Sequence, residues 1–145
     1  MAAEPVFVDT NILVYASRQR SPLHARAAAG LRRAGSEGGS LWFSRQILRE
    51  YLAVATRPQP TEPALPSAAA VADAEGFLAK FEVAENGPRV TRTLLQLLAQ
   101  HPSGGKQVHD ANIVATMLTH GIMRLLTFNA ADFRRFEPLI GVVVP

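Results

Sequence analysis

The chain has 145 residues, of which 48% are hydrophobic and 19% charged, a balance too apolar for a disordered chain and suited to one domain, residues 1–145, with its own core. It has no cysteine and a formal net charge of +3, which excludes a disulfide scaffold, a thiolate zinc or iron–sulfur centre and a cysteine nucleophile, and fits a reducing compartment. No apolar run approaches the ~20 residues that span a bilayer, and Met1-Ala2-Ala3-Glu4-Pro5 has no basic or apolar region of a signal peptide, so the expectation is a soluble cytoplasmic protein without a membrane partner.

Lys80 and Lys106 are the only lysines, so nearly all the cations are arginines. The planar guanidinium matches phosphate with two parallel hydrogen bonds, which makes a polyanionic partner one reading of the charge. A compositional bias toward Ala, Arg and Pro is the other.

Val6-Phe7-Val8 is too short for a helix and ends in Asp9-Thr10-Asn11, residues that favour turns and helix caps, so it reads as a buried strand. Ile12-Leu13-Val14-Tyr15 opens a helix that breaks around Ser21-Pro22, resumes through Leu31, and is closed by Gly35, Gly38 and Gly39. Leu41-Trp42-Phe43 reads as a second buried strand. Ser44 then caps a helix whose Ile47, Leu48, Tyr51, Leu52 and Ala55 share a face, and Pro58 ends it.

The stretch from Arg57 to Ser67 holds four prolines and reads as a mobile loop within one domain. Ala68 to Lys80 reads as a helix and Phe81-Glu82-Val83 as a third strand. A helix from Pro88 presents Val90, Leu94, Leu95, Leu97 and Leu98 and stops at Pro102 and Gly104-Gly105. Val108 to His120 follows as a helix with Ile113, Val114, Met117 and Leu118 inward, ended by Gly121. Arg124 to Thr127 is the fourth strand and Gly141 to Val144 the fifth, at an edge. Strands with continuous apolar runs, alternating with helices, predict an α/β domain with a mostly parallel, five-stranded sheet covered on both faces.

Open parallel sheets bind ligands at the carboxyl ends of their strands, so the residues just past each strand carry the functional information. Asp9 ends the first strand, and Asn129 and Asp132 follow the fourth. Glu50 lies in the helix after the second strand, and Asp110 in the first turn of its helix. A carboxylate ending a buried strand is costly to desolvate unless something pairs with it, which marks Asp9. Asp110 alone also suits a helix N-terminal dipole, Asp132 a cap or loop position, and Glu50 a solvated helix face. If they converge, the carboxylates repel until a proton or a divalent cation neutralises them, and all-oxygen ligands suit Mg2+ or Mn2+ better than zinc. Such a centre hydrolyses phosphate esters.

The histidines add little: His24, His101 and His120 fall near helix ends or exposed faces, while His109 can orient Asp110 or touch phosphate. There is no G-x-x-x-x-G-K-[ST] or G-x-G-x-x-G loop, and Ser44 has no credible triad, which disfavours nucleotide hydrolysis and acyl transfer.

Four segments together resemble the PIN-domain ribonucleases, and within them the toxin subunits of VapBC-type toxin/antitoxin pairs. They are Val6 to Tyr15, Ser44 to Glu50, His109-Asp110-Ala111 with Ile113 to Thr116, and Leu126 to Phe133, in the family's order across nearly the whole chain. The resemblance implies a three-layer α/β/α domain in which Asp9, Glu50 and Asp110 form the acidic metal site and Asp132 occupies the further acidic position. Asn129 stands where some relatives carry Asp, and Thr10, Asn11 and Thr127 match supporting polar positions. It also implies Mg2+ or Mn2+ dependence, endonucleolytic cleavage of RNA, a homodimer and an antitoxin whose tail enters the cleft. The proline-rich segment after Arg57 has no counterpart in it. Two other readings compete: a catalytically silent RNA-binding module of the same fold, and a haloacid-dehalogenase-like phosphatase, which normally needs a second Asp where this chain has Asn11.

Overall fold

In the computed structural model, which describes residues 4–36, 38–60 and 62–145, the first apolar run forms β1 (Pro5–Val8). Val6, Phe7 and Val8 are all buried, as they must be in a strand with helices on both sides. Asp9 follows at once and caps α1 (Thr10–Ala16), its Oδ1 accepting from the Thr10 amide at 2.8 Å. The helix therefore starts two residues earlier than its apolar pattern indicates. The break at Ser21-Pro22 separates it from α2 (His24–Ser36). Residues 1–3, on which the expected absence of a leader partly rests, lie outside the described residues.

Gly39 joins α2 to β2 (Ser40–Phe43). A Cβ there would stand 2.0 Å from the carbonyl oxygen of Ala34, so any side chain would push the end of α2 away from the sheet. Ser44 caps α3 (Arg45–Ala55), accepting from the Ile47 amide at 3.4 Å in the manner its sequence predicts. Then come α4 (Ser67–Lys80), β3 (Glu82–Val83) and α5 (Pro88–Gln100). Phe81, expected within the strand, is instead the buried residue that ends α4.

The sixth helix, α6 (Lys106–Thr119), begins two residues before its predicted start, so Asp110 lies beyond the first turn, which contains no acidic residue. The dipole reading of Asp110 loses its basis accordingly, because that effect fades within one turn. The chain closes with β4 (Arg124–Leu126), the single turn α7 (Ala130–Phe133), a 3-10 turn over Arg134–Phe136, and β5 (Gly141–Val143). Thr127 and Val144, predicted as strand residues, stand just past β4 and β5.

Among the described residues, five strands form one sheet in the order β3-β2-β1-β4-β5 with every pairing parallel. The predicted α/β architecture holds, and β5 lies at an edge. In the register, Phe7 sits between Trp42 and Leu125. Right-handed crossovers put α1 to α4 on one face and α5 to α7 on the other, and the contacts agree: α1 meets α2 and α3, α3 meets α4, α5 meets α6, and α6 meets α7. Strand order reverses beside β1, since β1 leads to β2 on one side while β4 returns on the other. Ligand sites in open α/β sheets form at that reversal.

Leu95 on α5 is 62% exposed while Val90 and Leu97 are buried; it lies off the stripe that meets α6. One expectation needs correction. The proline-rich loop is pinned, not loose. Arg18, only 3% exposed, donates through its two terminal nitrogens to the carbonyls of Pro63 and Ala55, each at 3.0 Å. The Leu65 amide donates to Ala55 O at 2.8 Å, and Gln59 Nε2 to Val54 O at 3.1 Å. Thr61 within this loop lies outside the described residues. Among the described residues no helix is long and apolar enough to cross a membrane.

Candidate active site

At the carboxyl end of β1 the chain places a buried carboxylate between two partners from its own turn and one from β4. Asp9 is 6% exposed. Its Oδ2 accepts from Thr127 Oγ1 at 2.8 Å and from Asn11 Nδ2 at 3.2 Å, while Oδ1 takes the Thr10 amide. Burial pushes the Asp9 carboxyl above its ordinary range; the hydrogen bonds from Thr127, Thr10 and Asn11 oppose that and the nearby Glu50 charge adds to it.

The supporting residues form one connected set. Asn11 donates to Thr127 Oγ1 at 3.3 Å and its Oδ1 accepts the Phe128 amide at 3.1 Å, while the Asn129 amide donates to Thr127 Oγ1 at 2.9 Å. Thr127 is fully buried. Its hydroxyl uses its one proton on Asp9 and offers its lone pairs to Asn11 and Asn129, so no capacity is spare. The turn after β4 is thereby stitched to the turn after β1.

Glu50 enters from α3. Its Oε2 accepts from Thr10 Oγ1 at 2.9 Å and its Oε1 from Gln46 Nε2 at 3.0 Å. Asp110 enters from α6. Its carboxyl is raised from the ordinary 3.8 to about 6, first by burial and then by the charges of Asp132, Asp9 and Glu50, against the pull of Arg135. A carboxylate surrounded by other carboxylates holds its proton until a cation compensates.

Asp9, Thr10, Asn11, Glu50, Asp110 and Asn129 line one open cleft of about 530 Å3, together with Tyr15, Arg57, Gln59 and Lys106. The structure thus brings six of the eight sequence-predicted residues to one surface, with Thr127 behind it as a support. Asp132 is exposed on α7 and does not line the cleft, although its charge reaches Asp110. The single turn α7 that carries it is anchored by buried Phe133, with buried Phe136 just beyond.

Among the described residues no three His, Cys, Asp or Glu side chains are gathered tightly enough to hold a metal ion on protein atoms alone. That spacing still fits Mg2+ or Mn2+. These hard ions keep several waters and need only one or two carboxylates directly, and the donors present are all oxygen. The raised Asp110 carboxyl marks negative charge left uncompensated by the protein, which is the condition a divalent cation relieves.

His24, His101 and His120 have local partners instead of site roles: the Tyr15 carbonyl at 3.0 Å, the Phe136 ring at 5.6 Å and the Glu85 carbonyl at 2.9 Å. His109 is exposed, and its backbone carbonyl accepts from Gln46. Several residues escaped the sequence reading. Gln46 was legible in principle, since it stands four residues before Glu50, one helical turn away. Arg57 and Gln59 were hidden in the proline-rich loop. Arg135, which donates to Ser103 Oγ and Gln107 O and stacks 4.6 Å from the Phe136 ring, gave no local signal.

The family model described as PIN domain matches residues 6–137. Ribonuclease VapC48 of Mycobacterium tuberculosis is 29% identical over 134 residues, covering 89% of this chain and 90% of its own. Among solved structures, VapBC2 from Rickettsia felis bound to a promoter DNA fragment superposes with a TM-score of 0.70 at 17% identity, covering 97% of this chain and 98% of that one. A toxin–antitoxin complex from Klebsiella pneumoniae gives 0.69 at 20% identity, with 95% of each chain covered. VapC20 of M. tuberculosis, a sarcin–ricin loop cleaving toxin, gives 0.66 at 20% identity over 88% of this chain and 92% of its own. At these identities the structural likeness is one of fold.

Proposed function

Since this chain belongs to the PIN domain family, we propose that it is a Mg2+- or Mn2+-dependent endoribonuclease and the toxin of a toxin–antitoxin pair. The observation that carries the reading is the cleft in which Asp9, Glu50 and Asp110 meet at the reversal of strand order. RNA as the substrate class is supported by what relatives are called, ribonuclease VapC48 and a sarcin–ricin loop cleaving toxin.

Asp9, Glu50 and Asp110 would hold the cation, Asp132 would add negative charge from outside the cleft, and Thr10, Asn11 and Thr127 would keep the carboxylates aimed. When bound, the cation supplies charge compensation at the phosphate and a more acidic water as nucleophile. Arg57 and Lys106, on the same cleft, draw the RNA backbone in and offset the charge of its phosphates. Water adds at phosphorus, one P–O bond breaks, and two shorter chains leave. Asn129 carries no charge and would orient a carboxylate or a water.

An acidic cleft is readily blocked by a basic side chain, so an antitoxin protein would insert Arg or Lys toward Asp9 and Asp110. A homodimer is the further part of the reading. Leu48 and Leu52 of α3 and Leu94, Leu97 and Leu98 of α5 are buried or half-buried within the subunit, while Leu95 on α5, Val71 and Leu78 on α4, Met123 and Val144 are exposed. Asn11 donates to Asp9 where a haloacid-dehalogenase-like phosphatase would carry a second carboxylate.

The test is incubation of the purified protein with total RNA with and without Mg2+ or Mn2+. Discrete cleavage that requires the metal and disappears in Asp9→Asn supports the reading. Equal cleavage in chelator, or undiminished cleavage by Asp9→Asn, overturns it, and RNA binding without any cleavage favours the silent module.

A further inference from the structure

We propose that Gln46 is the positioning residue that fixes the Glu50 carboxylate, acting from behind the wall of the cleft; the inference rests on Glu50 belonging to the metal-holding set. Gln46 is 6% exposed on α3 beside the fully buried Ile47 and does not line the cleft. Its Nε2 donates to Glu50 Oε1 at 3.0 Å and to the His109 carbonyl at 3.2 Å, and its Oε1 accepts from Asn112 Nδ2 at 2.7 Å. Both amide protons are therefore committed.

The sense of that amide is decided by chemistry. The His109 carbonyl and the Glu50 carboxylate only accept, so a reversed amide would set its oxygen against two other oxygens. Asn112, one turn further along α6 than His109, donates to the side of the amide that must be oxygen. Glu50 is consequently held at both ends, Oε2 by Thr10 from the β1 turn and Oε1 by Gln46. The same contacts tie α3 to α6, the two helices that deliver Glu50 and Asp110. A half-buried carboxylate on a flexible side chain loses several rotamers to this arrangement before any ligand arrives, which is the preorganisation a cation site requires.

A purely structural role for Gln46 predicts something different, and three variants separate the two. Gln46→Met keeps the length and apolar stem but removes both donors. Asn112→Asp keeps Gln46 but presents an acceptor to it, which turns the amide and sets its oxygen against Glu50. Asn112→Leu removes a neighbour while leaving the Gln46 to Glu50 bond in place. Binding of Mn2+ to each purified variant, measured by titration calorimetry without RNA, is read beside its melting temperature.

Gln46→Met and Asn112→Asp are expected to weaken Mn2+ about 10- to 100-fold, and Asn112→Leu less than about 3-fold, at comparable melting temperatures. Should Gln46→Met fail to fold, Asn112→Asp against Asn112→Leu still decides the matter. Parent-like binding by Asn112→Asp, or losses in all three that merely follow the melting temperature, overturns the inference. Glu50→Gln is the control for the underlying reading: if it binds Mn2+ like the parent, Glu50 is not a ligand and both fall; if it is weakened while Gln46→Met and Asn112→Asp are not, only the role of Gln46 fails.

Discussion

Thr127, at the end of β4, donates its only hydroxyl proton to Oδ2 of Asp9, at the end of β1, over 2.8 Å. Both groups are buried, Thr127 completely and Asp9 all but 6% of its surface. Thr127→Val keeps the shape and removes the hydroxyl, leaving Asp9 short of a donor and the Asn129 amide short of an acceptor. A buried polar group left unpaired costs about 1–3 kcal/mol, and denaturant unfolding should show a loss in that range. Thr127→Ser should retain most of both stability and cleavage. A Thr127→Val protein as stable and active as the parent would show that the contact is incidental.

Asp110 and Asp9 should respond differently to neutralisation. With its carboxyl raised to about 6, Asp110 binds a proton more readily folded than unfolded. The cost of ionising it is absent below about pH 4, grows as pH rises toward 6, and is fully present at pH 7. Asp110→Asn should therefore be more stable than the parent at pH 7 without metal, by about 1–2 kcal/mol once solvent screening is allowed for. The advantage should vanish below pH 4. Asp9→Asn gains less, because an amide cannot accept all three hydrogen bonds that Asp9 accepts. Both should lose metal-dependent cleavage. Melting curves across pH 4 to 7 check the first part and RNA gels the second.

The acid limb of the cleavage profile carries the same sign. If ionised Asp110 is required, the rate should fall as pH drops through about 6, and rising Mn2+ should move that limb to lower pH by favouring the charged form. Asp132 raises the Asp110 carboxyl by its charge, so Asp132→Asn should also move the limb down. Its loss of activity should appear chiefly at limiting metal, whereas Asn129→Ala should give a smaller loss that added metal does not rescue. An Asp132→Asn profile that superimposes on the parent at every metal concentration would reduce Asp132 to a surface turn residue.

The sequence disclosed the architecture because its signals were local. Val6-Phe7-Val8 cannot be a half-exposed strand, Ser44 sits where a cap belongs, and Pro88 begins a helix, so parallel α/β topology follows with little freedom. The carboxylates at strand ends were legible for the same reason, since burial makes Asp9 expensive and therefore purposeful. What stayed hidden depends on side chains meeting across long separations. Arg135 acts on Asp110 only because α6 and the turn after α7 come together, and Arg57 reaches the cleft from the end of α3, where its amide bonds Val54 O. Asp110 was placed two residues too near the start of α6 because its polar opening, Lys106-Gln107, carries no apolar periodicity.

Arg18 offers a stability prediction apart from the site. Its guanidinium holds Ala55 O and Pro63 O, and Glu62 lies 3.6 Å away, while its buried Nε has no partner. Arg18→Met should free the loop at a cost of about 2–4 kcal/mol, because Pro63 O loses the arginine donor and Ala55 O keeps only the Leu65 amide. Hydrogen exchange at the Leu65 amide, which bonds Ala55 O, should accelerate more than exchange in β1. Uniform acceleration across both would mean that the loop and the core open together.

The position of β1 between β2 and β4 sets a timetable for the protein's own synthesis. Asp9, Glu50 and Asp110 are added to the growing chain before Arg124 to Leu126 exist to pair with β1. Until then one edge of β1 is bare, the Asp9 amide lacks the Leu126 carbonyl it bonds at 3.0 Å, and its carboxylate lacks Thr127. A nascent chain, or any product truncated before Arg124, holds the acidic residues without the frame that aims them. On the reading proposed above, cleavage begins only once β4 has paired with β1, so synthesis of the acidic residues and onset of activity are separated in time.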